Sequence, residues 1–241
     1  MLKGGLSVFL PTYNEEENIQ KAVESIYNYI EKNILDFELI VVNDGSKDKT
    51  KDIVEKLKKK YKNLRLINHT KNMGYGRALR SGFENSRKKH IFYTDADNQF
   101  DISEIKKLIP LLKEYDIVSG YRIKRRDPLM RIIIADTYNL LIRILFNLKI
   151  RDVDASFKIY KRRIFDNISL KSNTGLIDAE VLIKSLKNGY SIGQIGVSHF
   201  PRRFGRTTYE VGTRNKIFAF VRPEVIIDIL KEIKILWKEL R

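Results

Sequence analysis

The sequence predicts an α/β domain with a mostly parallel central sheet, helices on both faces of that sheet and amphipathic C-terminal helices. Three observations predict it. Through the first hundred residues, short aliphatic or β-branched runs alternate with segments of helical apolar spacing, as is typical of a parallel sheet covered on both faces. The chain has 241 residues, 43% of them hydrophobic, which is enough for one substantial core. Polar loop-forming residues follow each of the first four predicted strands.

The first half of the chain contains four predicted strands and three predicted helices. The strands are 6–10, 37–42, 64–68 and 91–94, and the helices between them are 15–32, 48–60 and 76–87. In the first helix, Val23, Ile26 and Ile30 recur every three or four residues, so that they share one face. Ligands of such sheets bind beyond the carboxyl ends of the strands, which makes the four following loops the candidate site.

The second half has a less regular pattern. Its predicted elements are a helix at 102–115, a strand at 117–120, a basic segment at 121–131, an apolar helix at 132–148 and an Arg- and Gly-rich loop at 197–209. Pro223 is predicted to open a last helix whose apolar residues lie on one side. The sequence shows no internal repeat and no low-complexity tract.

The composition narrows the classes of function. The absence of cysteine excludes a disulfide scaffold, a zinc ribbon and a thiolate nucleophile. The formal net charge of +16 predicts an anionic partner: nucleic acid, an acidic membrane surface or a phosphorylated substrate. The chain starts without the apolar core of a signal peptide, and no apolar run approaches the roughly 18 residues that span a bilayer. The expected location is therefore cytoplasmic, with peripheral attachment at the cytoplasmic face of a membrane as one form of it.

Polar residues fill the loops after the first four predicted strands, at 11–15, 43–46, 72–76 and 95–99. Each loop alone has the composition of an ordinary turn, but four at one edge of a parallel sheet favour a ligand site. Asp95 and Asp97 directly follow a strand, where Mg²⁺ or Mn²⁺ would remove their mutual repulsion and bridge to a diphosphate. Gln99 would add a neutral oxygen. The alternative is a solvated acidic turn that caps the next helix.

The ordered set of motifs resembles glycosyltransferase family 2, whose members have the Rossmann-like GT-A fold. The segments that carry the resemblance are PTYNEEENI at 11–19, VVNDGSKDKT at 41–50, KNMGYGRALRSG at 71–82, YTDADNQFD at 93–101, SGYRIKRRDPLMR at 119–131, RDVDASFKIYKRR at 151–163, DAEVLIKSLKNGY at 178–190 and HFPRRFGRTT at 199–208. Within the family, the chain most resembles the dolichol-phosphate mannose synthase and polyprenyl-phosphate glucosyltransferase branch. The resemblance makes 1–210 the predicted catalytic domain and 211–241 a C-terminal amphipathic helical appendage.

The resemblance implies an inverting, metal-dependent hexosyltransferase. Its donor would be a nucleotide-diphosphate sugar of the GDP-mannose or UDP-glucose type, and its acceptor a dolichyl, undecaprenyl or other polyprenyl phosphate. The residues that match the nucleotide site are Pro11, Tyr13, Glu15, Asp44, Asp95 and Ala96. Asp95, Asp97 and Gln99 match the ligands of Mg²⁺ or Mn²⁺. The turn 74–76 lacks the third glycine of a dinucleotide fingerprint, which weakens a dehydrogenase interpretation.

The same resemblance identifies candidate residues for the acceptor. Those that match acceptor-phosphate contacts are Arg122, Arg131, Lys158 and Arg202. The candidate catalytic residues are Asp97, Asp152 and Glu180, with Asp154 as the competitor of Asp152 and Asp178 beside Glu180 at a helix start. A phosphate acceptor is already ionised and needs no strong general base, so Asp152 or Asp154 would orient it. A hydroxyl acceptor would instead need one of these acids as a base.

Two residues depart from the family pattern, since Ser156 stands where Gly is common and Thr207 where Ser is usual.

Two alternative functions remain open. One is that of a family 2 enzyme that glycosylates a soluble or polysaccharide hydroxyl acceptor. A more distant one is a basic nucleic-acid-binding protein, suggested by the Lys- and Arg-rich stretches 56–62 and 122–126. Those stretches lack a recognised binding motif, so we predict no nucleic-acid partner. The apolar stripes of 132–148 and of the last helix would face the domain itself, a second copy, a membrane-protein partner or lipid.

Overall fold

The structure is a computed structural model of the chain. It describes residues 2–123, 129–202, 204–205, 210–211, 220–221 and 223–240. Within these ranges, only the backbone is described for 129–131, 210–211, 220–221, 223 and 225. Of the sequence-predicted site residues, Arg131 therefore has no described side chain, and Thr207 lies outside the described residues.

A seven-stranded sheet forms the centre of the molecule. Its strands are β1 Leu6–Thr12, β2 Phe37–Asn43, β3 Leu64–Asn68, β4 His90–Thr94, β5 Ile117–Ile123, β6 Phe157–Lys161 and β7 Ile192–Ser198. Their order across the sheet is β3-β2-β1-β4-β6-β5-β7. Only β6 runs against the other six, because it pairs antiparallel with both β4 and β5. The predicted mostly parallel sheet is confirmed.

Helices connect the strands and cover the sheet. They are α1 Ile19–Asn33, α2 Thr50–Lys60, α3 Tyr75–Asn85, α4 Ile105–Leu108, α5 Leu129–Phe146, α6 Ile177–Lys187 and α7 Pro223–Glu239. A short antiparallel pair, β8 Glu210–Val211 and β9 Phe220–Val221, precedes α7. The single helix predicted for 102–115 is instead broken into α4 and two flanking 3₁₀ turns, Ile102–Glu104 and Ile109–Lys113. Pro110 explains part of this break, since it has no backbone N–H to continue the α-helical pattern.

The sheet separates two apolar layers. Leu6, Val8 and Leu10 of β1 pack against α1 and α2, whereas Phe9 packs on the opposite face among residues of α3 and α6. Successive side chains of β1 point to opposite faces of the sheet, and they therefore enter different layers. Because both faces are buried, the sequence of β1 is apolar without interruption from Val8 to Pro11. Ile233 and Leu236 of α7 are buried in the second layer. The predicted C-terminal appendage thus contributes to the core of the domain.

The topology places several loops at one edge of the sheet. The carboxyl ends of β1 to β5 and β7 point to this edge because these strands run in the same direction. The antiparallel β6 begins there, with Phe157 opposite Thr94 at the end of β4. Residues 152–156 therefore lie beside residues 95–97, although they are far apart in the sequence. Among the helices that the structure describes, none has both the length and the apolar character needed to cross a bilayer.

Candidate active site

The loop after β1 is fixed to the loop after β2. Asn14 adopts a left-handed backbone conformation with φ of 53°, and its side-chain oxygen accepts from the Lys47 amide at 2.8 Å. The Asn14 amide donates to Ser46 Oγ at 2.9 Å, and the Glu15 amide donates to Thr50 Oγ1 at 2.8 Å. Asparagine tolerates this backbone region better than most residues, because its short polar side chain bonds locally. The two loops that were predicted to surround the nucleotide therefore form one connected unit.

Asp44 is buried and holds the turn after β3. Its carboxylate accepts from the amides of Met73 and Gly74, both at 2.9 Å. His69 donates to the same carboxylate from Nδ1 at 2.7 Å, and its Nε2 lies 2.9 Å from Ser81 Oγ on α3. Sequence reasoning missed His69. Its position just after β3 was the available signal, because the loops after β1, β2 and β4 also carry predicted site residues.

The turn 74–76 has glycines where the backbone of another segment approaches closely. Gly74 has a φ of 93°, in the left-handed region that favours glycine. A Cβ atom on Gly74 would lie 2.7 Å from the Asn173 carbonyl oxygen, and one on Gly76 would lie 2.5 Å from that of Ser172. The Gly76 amide donates to the Asn173 carbonyl at 3.0 Å. These glycines therefore allow the backbone of segment 172–174 to pack closely against the turn.

Asp95 and Asp97 follow β4 as predicted. Burial raises the pKa of Asp95 to about 7, and the charge of Asp97 adds to this shift. The Tyr75 hydroxyl donates to Asp95 at 3.3 Å. Asp97 is buried and accepts from the Gln99 amide at 3.1 Å, while Arg202 Nη1 lies 3.6 Å from its carboxylate. The two acids thus share a partly desolvated site in which their negative charges oppose each other.

These residues fit a divalent cation together with a substrate diphosphate. Mg²⁺ is usually held by one or two carboxylates, and substrate phosphates and water supply its other ligands. Among the residues that the structure describes, no group of three or more His, Asp or Glu residues is placed to hold a metal ion. The Gln99 side chain donates from its nitrogen to the Phe200 carbonyl at 3.0 Å. A metal contact from Gln99 would therefore come from its oxygen.

Arg202 lies on the donor side of the site. Its guanidinium pairs with Glu15 and donates from Nε to the Phe204 carbonyl at 2.8 Å. Asn18 donates to the same carbonyl at 3.2 Å and to Glu15 at 2.6 Å. Burial raises the pKa of Glu15, while the nearby Arg202 opposes that shift. Arg202 was predicted to bind the acceptor phosphate, and the structure brings it to residues that were predicted to bind the donor.

Arg122 and Asp152 form a two-fold hydrogen-bonded pair. Arg122 Nε and Nη2 donate to the two carboxylate oxygens of Asp152, each at 2.7 Å, and the Arg122 amide adds a bond of 3.1 Å. Such planar bidentate contacts are geometrically specific. The next amide, that of Val153, donates to Asn139 of α5 at 2.9 Å. The loop before β6 is therefore fixed both to the end of β5 and to α5.

A buried ion pair lies beneath this loop. Lys158 of β6 is fully buried, and its Nζ lies 2.6 Å from the Asp178 carboxylate and 3.2 Å from the Tyr93 hydroxyl. Tyr93 also donates to Asp178, and burial raises its pKa well above the usual value. Burial raises the pKa of Asp154 to about 7, and the negative charge of Asp178 contributes. The same charge contributes to the raised pKa of Asp95.

Glu180 has a different set of partners. It is buried, and its carboxylate accepts from the amides of Lys171 and Ser172 at 2.9 and 2.8 Å. It also pairs with Lys184 at 2.8 Å. These contacts join segment 171–172 to α6. The acid on α6 that acts electrostatically on both acidic loops is Asp178, and sequence reasoning had named it only as a neighbour of Glu180.

The remaining predicted residues lie near the acidic pair or the first loop. Pro11 is buried in β1, Tyr13 is half-buried in the following loop, and Ala96 is buried between the two aspartates. Ser156, which replaces a common family glycine, hydrogen-bonds to Asp95 and lowers its pKa in opposition to burial. This departure from the family pattern therefore links the loop before β6 to the loop after β4.

A mostly parallel sheet with an acidic pair after β4, next to loops from β1, β2 and β3, is the arrangement of a GT-A glycosyltransferase. The chain belongs to glycosyl transferase family 2, whose family model matches residues 7–169. This confirms the family resemblance, the fold class and the prediction that the protein is a glycosyltransferase.

Curated relatives match about four fifths of this chain. Dolichyl-phosphate beta-glucosyltransferases ALG5A and ALG5D of Trichomonas vaginalis are 30% and 31% identical to this chain over 210 and 212 residues, and each match covers 80% of this chain and 64% of the relative. Glycosyltransferase AglD of Haloferax volcanii is 28% identical over 210 residues, which are 82% of this chain and 33% of that protein. The chain thus spans just under two thirds of the length of the first two relatives.

Solved structures share the fold at low sequence identity. Glucosyl-3-phosphoglycerate synthase from Mycobacterium tuberculosis, in complex with Mn²⁺, UDP and glucosyl-3-phosphoglycerate, matches with a TM-score of 0.67 and 17% identity over 85% of this chain and 74% of that one. The same enzyme with Mg²⁺ and UDP matches with a TM-score of 0.66 and 17% identity, over 85% and 73% of the two chains. The likeness supports the GT-A architecture.

Proposed function

We propose that the protein transfers a hexose, with inversion, from a nucleotide-diphosphate sugar of the GDP-mannose or UDP-glucose type to a polyprenyl phosphate. One observation carries the proposal. The antiparallel pairing of β4 with β6 brings the acidic pair of loop 95–97 beside the Arg122–Asp152 pair. A site for a metal and a diphosphate thereby adjoins a guanidinium suited to a phosphate. The names of the curated relatives support a polyprenyl-phosphate acceptor.

The donor half of the proposal uses the loops of β1 to β4. The proposed nucleotide-binding residues are Pro11, Tyr13, Glu15, Asp44, Asp95 and Ala96. Asp95, Asp97 and Gln99 are the proposed ligands of Mg²⁺ or Mn²⁺. When bound, the cation would act as a Lewis acid that offsets the charge of the leaving diphosphate. Arg202 contacts Glu15 and Asp97, so we assign it to closing the donor side.

The acceptor half uses the loops of β5 and β6. An ionised phosphate oxygen would attack the anomeric carbon while the bond from that carbon to the diphosphate oxygen breaks on the opposite face. No proton has to be removed from such an acceptor. Asp152 then acts by fixing the Arg122 guanidinium, with Arg131 as a further phosphate contact. Lys158 shapes the loop from below, because its Nζ also donates to the Ala155 carbonyl.

A membrane surface is the proposed place of action, at its cytoplasmic face. Apolar side chains are exposed on α5, among them Ile133, Leu140 and Ile144, and on α7, among them Ile227 and Ile235. The net charge of +16 would attract such helices to anionic lipid. A second copy of the chain or a membrane-protein partner is the competing occupant of these faces. Vesicle co-sedimentation that falls with salt would support the lipid proposal, and its absence at low salt would contradict it.

A second candidate function is transfer to a hydroxyl acceptor. One observation favours it: the pKa of Asp154 is raised to about 7 by burial and by Asp178, which suits a general base near neutral pH. Nucleic acid remains the unsupported alternative, because the acidic loops at the sheet edge would repel phosphates in the absence of a cation.

The decisive experiment is a transfer assay with GDP-mannose or UDP-glucose, Mn²⁺ and a polyprenyl phosphate, followed by partition into organic solvent. We expect a lipid-soluble product from one of the two donors. Asp97→Ala should lower the rate by about 10²- to 10³-fold, the scale for losing a group that stabilises transition-state charge. Asp52→Ala, on the exposed side of α2, is the matched control and should retain full activity. A product that forms only on a soluble hydroxyl acceptor would favour the second candidate.

A further inference from the structure

Glu232 of α7 binds three groups of one short segment. Its carboxylate accepts from the Asn173 amide at 3.0 Å and from the Thr174 hydroxyl at 2.6 Å. The Ser172 hydroxyl donates to it as well. Each of these bonds has a charged acceptor, which makes them stronger than neutral hydrogen bonds. A single side chain of the C-terminal helix therefore fixes the backbone and two side chains of segment 172–174.

The opposite side of segment 172–174 contacts the donor side of the active site. The Asn173 carbonyl accepts from the Gly76 amide at 3.0 Å, and the Asn173 side chain pairs with Arg80 of α3. The contact is tight, because a Cβ on Gly74 would lie 2.7 Å from the Asn173 carbonyl oxygen. Any displacement of segment 172–174 would therefore move the turn 74–76 with it.

The turn 74–76 in turn meets the acidic pair. Asp44 holds the start of the turn through the Met73 and Gly74 amides, and segment 172–174 holds its other side. Between these two supports, Tyr75 directs its hydroxyl to Asp95 at 3.3 Å. A continuous series of contacts thus connects α7 with Asp95, a proposed ligand of the cation.

We propose that Glu232 is a positioning residue for donor binding, acting through segment 172–174 on the turn that carries Tyr75. The inference rests on the proposed function, since it requires a nucleotide diphosphate with a divalent cation at Asp95 and Asp97. It gives α7 a role beyond covering the core, because this helix then helps to set the geometry of the donor site.

Glu239 supplies a matched control on the same helix. It pairs with Lys171 at 3.2 Å and with Lys184 at 3.0 Å. These contacts also fasten α7 to the domain, but they do not include residues 172–174. Glu232→Gln removes the charge and one acceptor oxygen with little change of shape. Glu239→Gln makes the same chemical change at a purely structural anchor.

The test measures binding of GDP and of UDP by calorimetry in the presence of Mn²⁺, together with steady-state kinetics and thermal unfolding. We expect Glu232→Gln to raise the Kd of the bound nucleotide and the donor KM by about five- to tenfold, as for the loss of one or two charge-assisted hydrogen bonds. The acceptor KM and kcat should stay near the wild-type values. Glu239→Gln should bind the nucleotide with the Kd of the wild type, even if its Tm falls as far as that of Glu232→Gln.

Three results would overturn the inference. Equal nucleotide Kd values for the two variants and the wild type would show that Glu232 does not position the donor site. A parallel loss of donor and acceptor affinity that follows Tm would show a merely structural role. A wild-type protein that binds neither GDP nor UDP would contradict the proposed function itself, and the inference with it.

Discussion

Loops 95–97 and 152–154 both have the pattern Asp-x-Asp and adjoin neighbouring strands, β4 and β6, at one edge of the sheet. They differ in how an arginine meets one of the acids. In the loop before β6, Arg122 makes two bonds of 2.7 Å to Asp152. In the loop after β4, Arg202 lies 3.6 Å from Asp97, beyond hydrogen-bond length. A metal ion at Asp152 and Asp154 would have to displace the guanidinium that is bonded to Asp152.

The other acid of each loop lies in a similar environment. Burial raises the pKa of Asp95 and of Asp154 to about 7, and Asp178 contributes to both shifts. The comparison teaches that the spacing of two acids does not identify a metal site. The arginine contact differs between the two loops, and this difference supports the proposals of a cation at loop 95–97 and of an acceptor-binding arginine at loop 152–154.

The largest expected effect comes from the ion pair that lies beneath both loops. Asp178→Asn leaves the fully buried Lys158 without its counter-charge, and we expect a loss of about 3–5 kcal/mol in the free energy of unfolding. Urea unfolding measures it. The double variant Lys158→Met with Asp178→Leu should recover most of the loss, because a well-packed apolar pair needs no compensation. A small loss of stability in Asp178→Asn would contradict the view that a charged Asp178 acts on both loops.

The two arginines give a smaller but sharper difference. Arg122→Lys removes the bidentate contact with Asp152 and should raise the acceptor KM about tenfold without changing the donor KM. Arg202→Lys should raise the donor KM without changing the acceptor KM, because its partners Glu15 and Asp97 lie on the donor side. Steady-state kinetics with each substrate varied in turn distinguishes them. If both variants change the same KM, the division between a donor loop and an acceptor loop is wrong.

The smallest expected effect is a pH dependence from Asp154. Its folded pKa of about 7 exceeds the ordinary 3.8, so the folded protein retains a proton that the unfolded chain has lost. The resulting stabilisation is fully present below about pH 3.8 and is lost as the pH rises to about 7. For this partly exposed group, we expect a difference of about 1 kcal/mol between pH 5 and pH 8. Asp154→Asn should remove this contribution and leave the similar one of Asp95, as measured by urea unfolding without metal. Asp52→Asn should leave the pH dependence of the wild type unchanged.

The first half of the fold could be predicted because its signals are local. The four strands and three helices of residues 6–94 follow from apolar periodicity, and their observed bounds differ by a few residues at most. The loops at their ends were identified for the same reason, since parallel strands direct their carboxyl ends to one edge. Asp95 and Asp97 lie where this argument placed them.

The second half was predicted less completely because its strands contain polar residues that are buried only in the folded protein. No strand was predicted between residues 149 and 196, yet Phe157 and Lys158 start β6. A lysine in a strand suggests solvent exposure, and only the tertiary contact with Asp178 makes its burial tolerable. Glu180 was chosen over Asp178 as the catalytic acid from the same lack of contact information, and its catalytic role stays a prediction.

The sequence by itself determined the class of the sheet and the edge at which the site forms, because apolar periodicity is a property of short segments and strands that alternate with helices form a parallel sheet. The tertiary structure decided which charges meet there. Asp97 and Arg202 are 105 positions apart, and Glu232 reaches residues about 60 positions before it. No local pattern specifies such pairs, since the energy of a charge depends on the burial and the counter-charges that only the folded chain brings to it.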